Sequence, residues 1–106
     1  MNFSITKQIF KYIIDSPQCL CYGSLDFKYR SIPNYSLGFI LPKSIGLASD
    51  RNRFKRRCRT LVNNIIADKS LPVFGLIVRP KSIEINYKNL NYAFDKLSND
   101  IKENIK

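Results

Sequence analysis

Most of the chemistry this sequence could do lies in nine consecutive residues, Arg51-Asn52-Arg53-Phe54-Lys55-Arg56-Arg57-Cys58-Arg59, six of which are cationic. Arginine dominates over lysine here, and a guanidinium makes planar, two-point contacts to phosphate and to base edges. Asn52 is the one neutral polar side chain among them and can add a directional hydrogen bond. From Lys43 to Arg59, seven cations against the carboxylate of Asp50 leave +6 of the chain's total +10. Arg51 and Lys55, Lys55 and Arg59, and Arg53 and Arg57 stand four apart. Each such like-charge pair costs about 0.2–0.5 kcal/mol in an isolated helix. A helix that gathers this repulsion without acidic partners is suited to meeting an anion. A solvated basic face would carry the same charge, but two features argue against it. The charge is concentrated at one end, and the helix carries its own apolar stripe.

That stripe consists of Phe54, Cys58, Leu61, Val62, Ile65 and Ile66, one face of a helix expected from Arg51 to about Ala67. Ser49 or Asp50 is expected as its N-cap, with Asp50 placing negative charge at the positive end of the helix dipole. Other elements must hold this helix in place. Ile5, Ile9, Phe10, Ile13 and Ile14 recur at helical spacing and predict a short first helix ending before Pro17. From Cys19 to Arg30 the pattern alternates, with Cys21, Gly23, Leu25, Phe27 and Tyr29 on one face and Leu20, Tyr22, Asp26 and Lys28 on the other. Ser31-Ile32-Pro33-Asn34 has turn chemistry, and Leu37 to Leu41 predicts a second strand closed by Pro42. These two strands are expected to form a hairpin. Val73 to Val78 is a nearly continuous apolar run, which suits a strand buried on both faces. Leu90, Ala93, Phe94, Leu97, Ile101 and Ile105 trace a long terminal helix, with Asn86 as its cap. The expected order is helix, strand, strand, helix, strand, helix: a small α+β domain, residues 1–106, with helices packed on a sheet.

The composition narrows function further. A charge of +10 on 106 residues points to a polyanion, either nucleic acid or an anionic membrane surface. The membrane surface is disfavoured because the basic helix needs its apolar stripe for a core. The chain has no histidine, which removes the usual base of Ser-His or Cys-His catalysis. Cys19, Cys21 and Cys58 read as reduced thiols, and with neither histidine nor a Cys-x-x-Cys pair no zinc site is expected. No apolar run approaches the ~18–20 residues that span a bilayer. Nor does Met1 to Tyr12 read as a secretory signal, so a cytoplasmic location is expected.

Residues 38–59 also resemble a known family. Gly38-Phe39-Ile40-Leu41-Pro42-Lys43-Ser44-Ile45-Gly46, then Ala48, then Arg51-Asn52-Arg53-Phe54-Lys55-Arg56 with Arg59 is similar to the signature of the bacterial ribonuclease P protein family. There a strand with glycine runs into Ser-Lys-Lys-x-Gly, and a helix opens with Arg-Asn-Arg-x-Lys-Arg. The likeness extends more weakly over Ile9-Phe10-Lys11, Val73 to Pro80 and Asn86-Tyr87. Three departures stand out: Pro42-Lys43-Ser44 replaces Ser-Lys-Lys, Asp50 is acidic, and Thr6 stands where the family has a further aromatic.

The resemblance implies a two-layer α+β sandwich with an additional short strand before the basic helix and a left-handed βαβ crossover. Ordinary connections are right-handed, so that handedness comes from the resemblance alone. It also implies a non-catalytic protein subunit of an endoribonuclease whose RNA subunit removes the 5′ leader of precursor tRNA by phosphodiester hydrolysis. Mg²⁺ would be bound mainly by that RNA, which needs no protein histidine. By motif match, Arg51, Asn52, Arg53, Lys55, Arg56, Arg59 and Lys43 would contact the catalytic RNA and precursor tRNA. A cleft on the open side of the sheet would hold the single-stranded leader, with Phe10, Phe27 and Tyr29 as stacking candidates and Tyr12 and Tyr35 behind them. No protein oligomer is expected. The alternative is a general ribosomal or structured-RNA-binding module outside tRNA processing; a DNA-binding helix-turn-helix fits poorly with strands on both sides of the basic helix.

Overall fold

The computed structural model describes residues 5–67 and 71–105. Helix α1 (Lys7–Ile14) opens on Thr6, whose hydroxyl accepts from the Ile9 amide at 3.2 Å. Thr6 therefore works as a cap in the place where the family has an aromatic. Next come β1 (Cys19–Tyr22), β2 (Leu25–Ser31), β3 (Ser36–Phe39) and a 3-10 turn over Lys43–Ile45. Helix α2 (Ala48–Ile66), β4 (Phe74–Pro80) and α3 (Tyr87–Asn104) complete the chain. Asn86 caps α3 as expected, its Oδ1 accepting from the Asn89 amide at 2.8 Å.

The segment expected as one alternating strand is two. Gly23, with φ of +59°, and Ser24 form a two-residue turn that folds β1 antiparallel onto β2. Such a turn favours glycine at its first position. The turn resets the faces: Leu20 lies opposite Phe27 and Tyr22 opposite Leu25, while Cys19 and Cys21 lie opposite Lys28 and Asp26. Leu20 and Tyr22 thus share the core face with Leu25, Phe27 and Tyr29, and Cys21 lies on the other side.

The expected hairpin between the second and third strands does not form. The sheet order is β1-β2-β4-β3, with β4 antiparallel to β2 and parallel to β3. Phe74 through Val78 are all buried. Only an interior strand buries both faces of such a run and pairs both of its edges, so β4 takes the place between β2 and β3. The parallel β3–α2–β4 unit follows, with a helix bridging the distance a parallel connection needs.

Helices α2 and α3 cover one face, packing Phe54, Cys58, Leu61, Val62, Leu90, Phe94 and Leu97 against Leu25, Phe27, Tyr29, Leu37, Leu76 and Val78. Helix α1 covers part of the other face through Ile13, packed with Ile32 and Ile77. It can lie close because Gly75 and Gly38 are beneath it. A Cβ on Gly75 would come within 2.5 Å of Ile13 Cδ1 and 2.6 Å of Ile32 Cδ1.

Candidate nucleic-acid interface

Helix α2 begins three residues before the expected Arg51. Its N-cap is Leu47, with no side-chain cap bond, so neither Ser49 nor Asp50 fills that role. Both sit in the first turn, where Asp50 still meets the positive end of the dipole. Arg51 holds the entrance instead. Its Nη1 donates to the carbonyls of Lys43 at 3.2 Å and Gly46 at 3.3 Å, tying the 3-10 turn to the helix.

Phe54, Cys58, Leu61, Val62 and Ile65 anchor α2 in the core, and burial pushes the Cys58 thiol pKa well up. That leaves the cations outside, on three tracks. Asn52 and Arg56 are exposed on the crest. Lys55 and Arg59 follow Arg51 along one flank, where the Arg59 guanidinium lies 6.0 Å from the ring of Phe39 on β3. Arg53 and Arg57 take the flank toward α3, where the Arg57 guanidinium lies 5.6 Å from the Tyr87 ring. Among the described residues none of these cations forms an ion pair with a carboxylate. Lys43 is exposed on the 3-10 turn just before the helix. The residues expected to bind RNA are therefore brought together, except that the Arg51 side chain is partly committed to its own backbone.

The aromatic candidates separate. Phe27 and Tyr29 are fully buried on the face covered by α2 and α3, and no base could stack on them there. Phe27 packs edge-on against Phe94, with ring centroids 5.1 Å apart. The Tyr29 hydroxyl donates to Asp100 Oδ2 at 2.5 Å and accepts from Asn104 Nδ2 at 3.1 Å. Burial, followed by that carboxylate, pushes its pKa well up. Their alternation with Asp26, Lys28 and Arg30 is the signal that places them inside, since a half-covered antiparallel strand turns its apolar residues to the core. Phe10 alone of the three lies on the α1 face, half-buried near Gly38. Tyr35 packs edge-on against Phe74. Tyr12 is 48% exposed, with the Arg30 guanidinium 3.9 Å from its ring.

The α1 face nevertheless holds a cleft of about 210 Å³, lined by Ile14, Cys19, Cys21, Asp26, Lys28, Ile40, Ile77 and Arg79, and bordered by Phe27, which exposes no surface to it. Lys28 Nζ donates to the Ile14 carbonyl at 2.8 Å, and Arg79 Nη2 donates to Asp26 Oδ2 at 3.3 Å. The Cys21 thiol beside Asp26 holds its carboxyl below the usual range, and Lys81 and Arg79 act in the same direction against burial. Lys28 and Arg79, which no aromatic pattern marks in the sequence, are further functional candidates. Among the described residues, no group of three or more metal-ligating side chains is placed to hold an ion.

A basic helix fixed over a mixed sheet, reached by a parallel crossover from β3, is the arrangement that the resemblance at 38–59 implies. The family model for Ribonuclease P matches residues 5–102. The chain belongs to the ribonuclease P protein family. The ribonuclease P protein component of Mycoplasma mobile is 26% identical over 101 residues, covering 92% of this chain and 89% of that protein. Solved structures share the fold. The Staphylococcus aureus RNase P protein superposes with a TM-score of 0.74 at 15% identity, over 92% of this chain and 95% of that one. The Thermotoga maritima protein gives 0.69 at 19% identity, over 97% of each chain. As a ribonuclease P protein, the chain is a subunit of an endoribonuclease of tRNA processing, and it works with the ribonuclease P RNA. Among the described residues, no helix is long and apolar enough to cross a membrane.

Proposed function

We propose that this ribonuclease P protein grips the catalytic RNA with α2 and the 3-10 turn, and receives the 5′ leader of precursor tRNA on the α1 face of the sheet. The observation that carries this reading is the set of cations on α2, unpaired with acids among the described residues and held by a buried stripe. Arg53, Lys55, Arg56 and Arg59, with Lys43, neutralise phosphates, while Asn52 supplies a directional hydrogen bond. Arg51 adds charge and keeps the turn that carries Lys43 in register with the helix. In the α1-face cleft Lys28 and Arg79 attract the leader backbone, and Phe10 and Tyr12 are the aromatic surfaces within reach of that face.

The hydrolysis itself is assigned to the RNA. Mg²⁺ held mainly by that RNA would supply the charge stabilisation and activated water of an in-line displacement. The protein's part is to offset phosphate repulsion as enzyme and substrate meet, and this is worth most when Mg²⁺ is scarce. Adding the protein to a bacterial catalytic RNA at low Mg²⁺ is expected to stimulate precursor tRNA cleavage. Unchanged cleavage would overturn the reading.

A further inference from the structure

A second concave surface lies on the other flank of α2, away from the α1-face cleft. It is a groove of about 260 Å³ between the first half of the helix and the segment leading into α3. Gly46 allows its walls to meet, since a Cβ there would come within 2.7 Å of Ile83 Cδ1. Phe54, Ile83, Ile85 and Leu90 give the groove an apolar lining, and Arg53 and Arg57 form one wall. Tyr87 stands beside Arg57, 43% exposed. Glu84 and Asp50 also line the groove, and neither forms an ion pair with these arginines among the described residues.

We propose that this groove takes an unpaired nucleotide of the catalytic RNA. The inference rests on the reading that α2 binds RNA, and adds a specific pocket to it. A bare anion would satisfy the arginines but would face the carboxylate of Glu84 and leave the apolar lining unused. A nucleotide suits all three parts. Its phosphate meets Arg53 and Arg57, its base covers the apolar lining and Tyr87, and a donor on the base edge meets Glu84. The groove is smaller than the roughly 300–1,000 Å³ of pockets for drug-sized ligands, which favours a single base. The occupant belongs to the catalytic RNA rather than the leader, because the groove is on the helix-covered side of the sheet and the leader cleft is on the α1 side.

The test is the affinity of the full-length protein for its catalytic RNA, measured for wild type, Tyr87→Ala, Tyr87→Phe and Arg56→Ala. Stacking of one base makes Tyr87→Ala roughly fivefold weaker or more, with an unchanged salt slope, while Tyr87→Phe stays close to wild type. Thermal melts of the Tyr87 variants are expected to match wild type, because the residue is exposed. In the assembled enzyme, the preference for substrate with a leader over substrate without one stays at the wild-type value in Tyr87→Ala. Wild-type affinity of Tyr87→Ala alongside a weakened Arg56→Ala would overturn the groove and leave α2 as an RNA-binding helix. Wild-type affinity of both variants would overturn the parent reading as well. A changed leader preference would assign the groove to the substrate, against the proposal.

Discussion

Individual side chains on α2 divide between charge that is free for RNA and charge that also builds the protein. Arg56 is exposed and its guanidinium has no partner among the described residues, whereas Arg51 donates to two backbone carbonyls. Arg56→Ala is therefore expected to weaken RNA binding without changing the melting temperature. Arg51→Ala is expected to lose RNA affinity and about 1 kcal/mol of stability as well, the net worth of a typical hydrogen bond. Parallel RNA titrations and thermal melts of the two variants check this. Equal stability would mean that the Arg51 contacts do not hold the turn. The aromatic residues divide in the same way. Phe27→Ala removes a fully buried ring and is expected to cost about 3–5 kcal/mol in denaturant unfolding. Phe10→Ala removes a half-buried ring on the α1 face, so its expected effects are a smaller stability loss and weaker binding of substrates that carry a leader.

At the scale of elements, what was readable in the sequence depended on how local the physics was. The stripes of α2 and α3, the Asn86 cap and the two-sided burial of β4 follow from short-range pattern, and the structure holds each of them. The Gly23-Ser24 turn was also readable, because two strand-like runs separated by Gly-Ser mark a hairpin. The unbroken alternation from Cys19 to Arg30 masks it, and the turn places Leu20 and Tyr22, not Cys21, on the core face. The order of the sheet was not readable in this way. Neighbouring strands usually pair, whereas β3 pairs with β4 across the whole of α2, a choice set by where a fully apolar strand can be buried. The start of α2 at Ala48 carries no sequence signal, because a backbone-binding arginine, and no side-chain cap, holds its entrance. The close seat of α1 over Gly75 gives an element-scale expectation. Gly75→Ala is expected to destabilise the protein by roughly 1–3 kcal/mol, as overpacking does, by lifting α1 from the sheet. Chemical denaturation measures this, and a neutral or stabilising result would mean that Ile13 and Ile32 turn aside freely.

For the whole molecule, the sheet separates two jobs. The face under α2 and α3 carries the core and presents the basic helix outward, while the α1 face keeps a cleft that is largely apolar with Lys28, Arg79 and Asp26 along it. On the proposed reading this division would let one small protein meet two RNAs, with the buried aromatics serving the fold and the cations serving binding. Its central claim is that α2 binds by neutralising phosphates, and the salt dependence of binding to the catalytic RNA tests that most directly. With about six phosphates neutralised, log K against log salt is expected to fall with a slope of roughly −4, and each cation removed from α2 makes it shallower by about 0.7. A slope near zero, or one that Arg56→Ala leaves unchanged, would contradict the account.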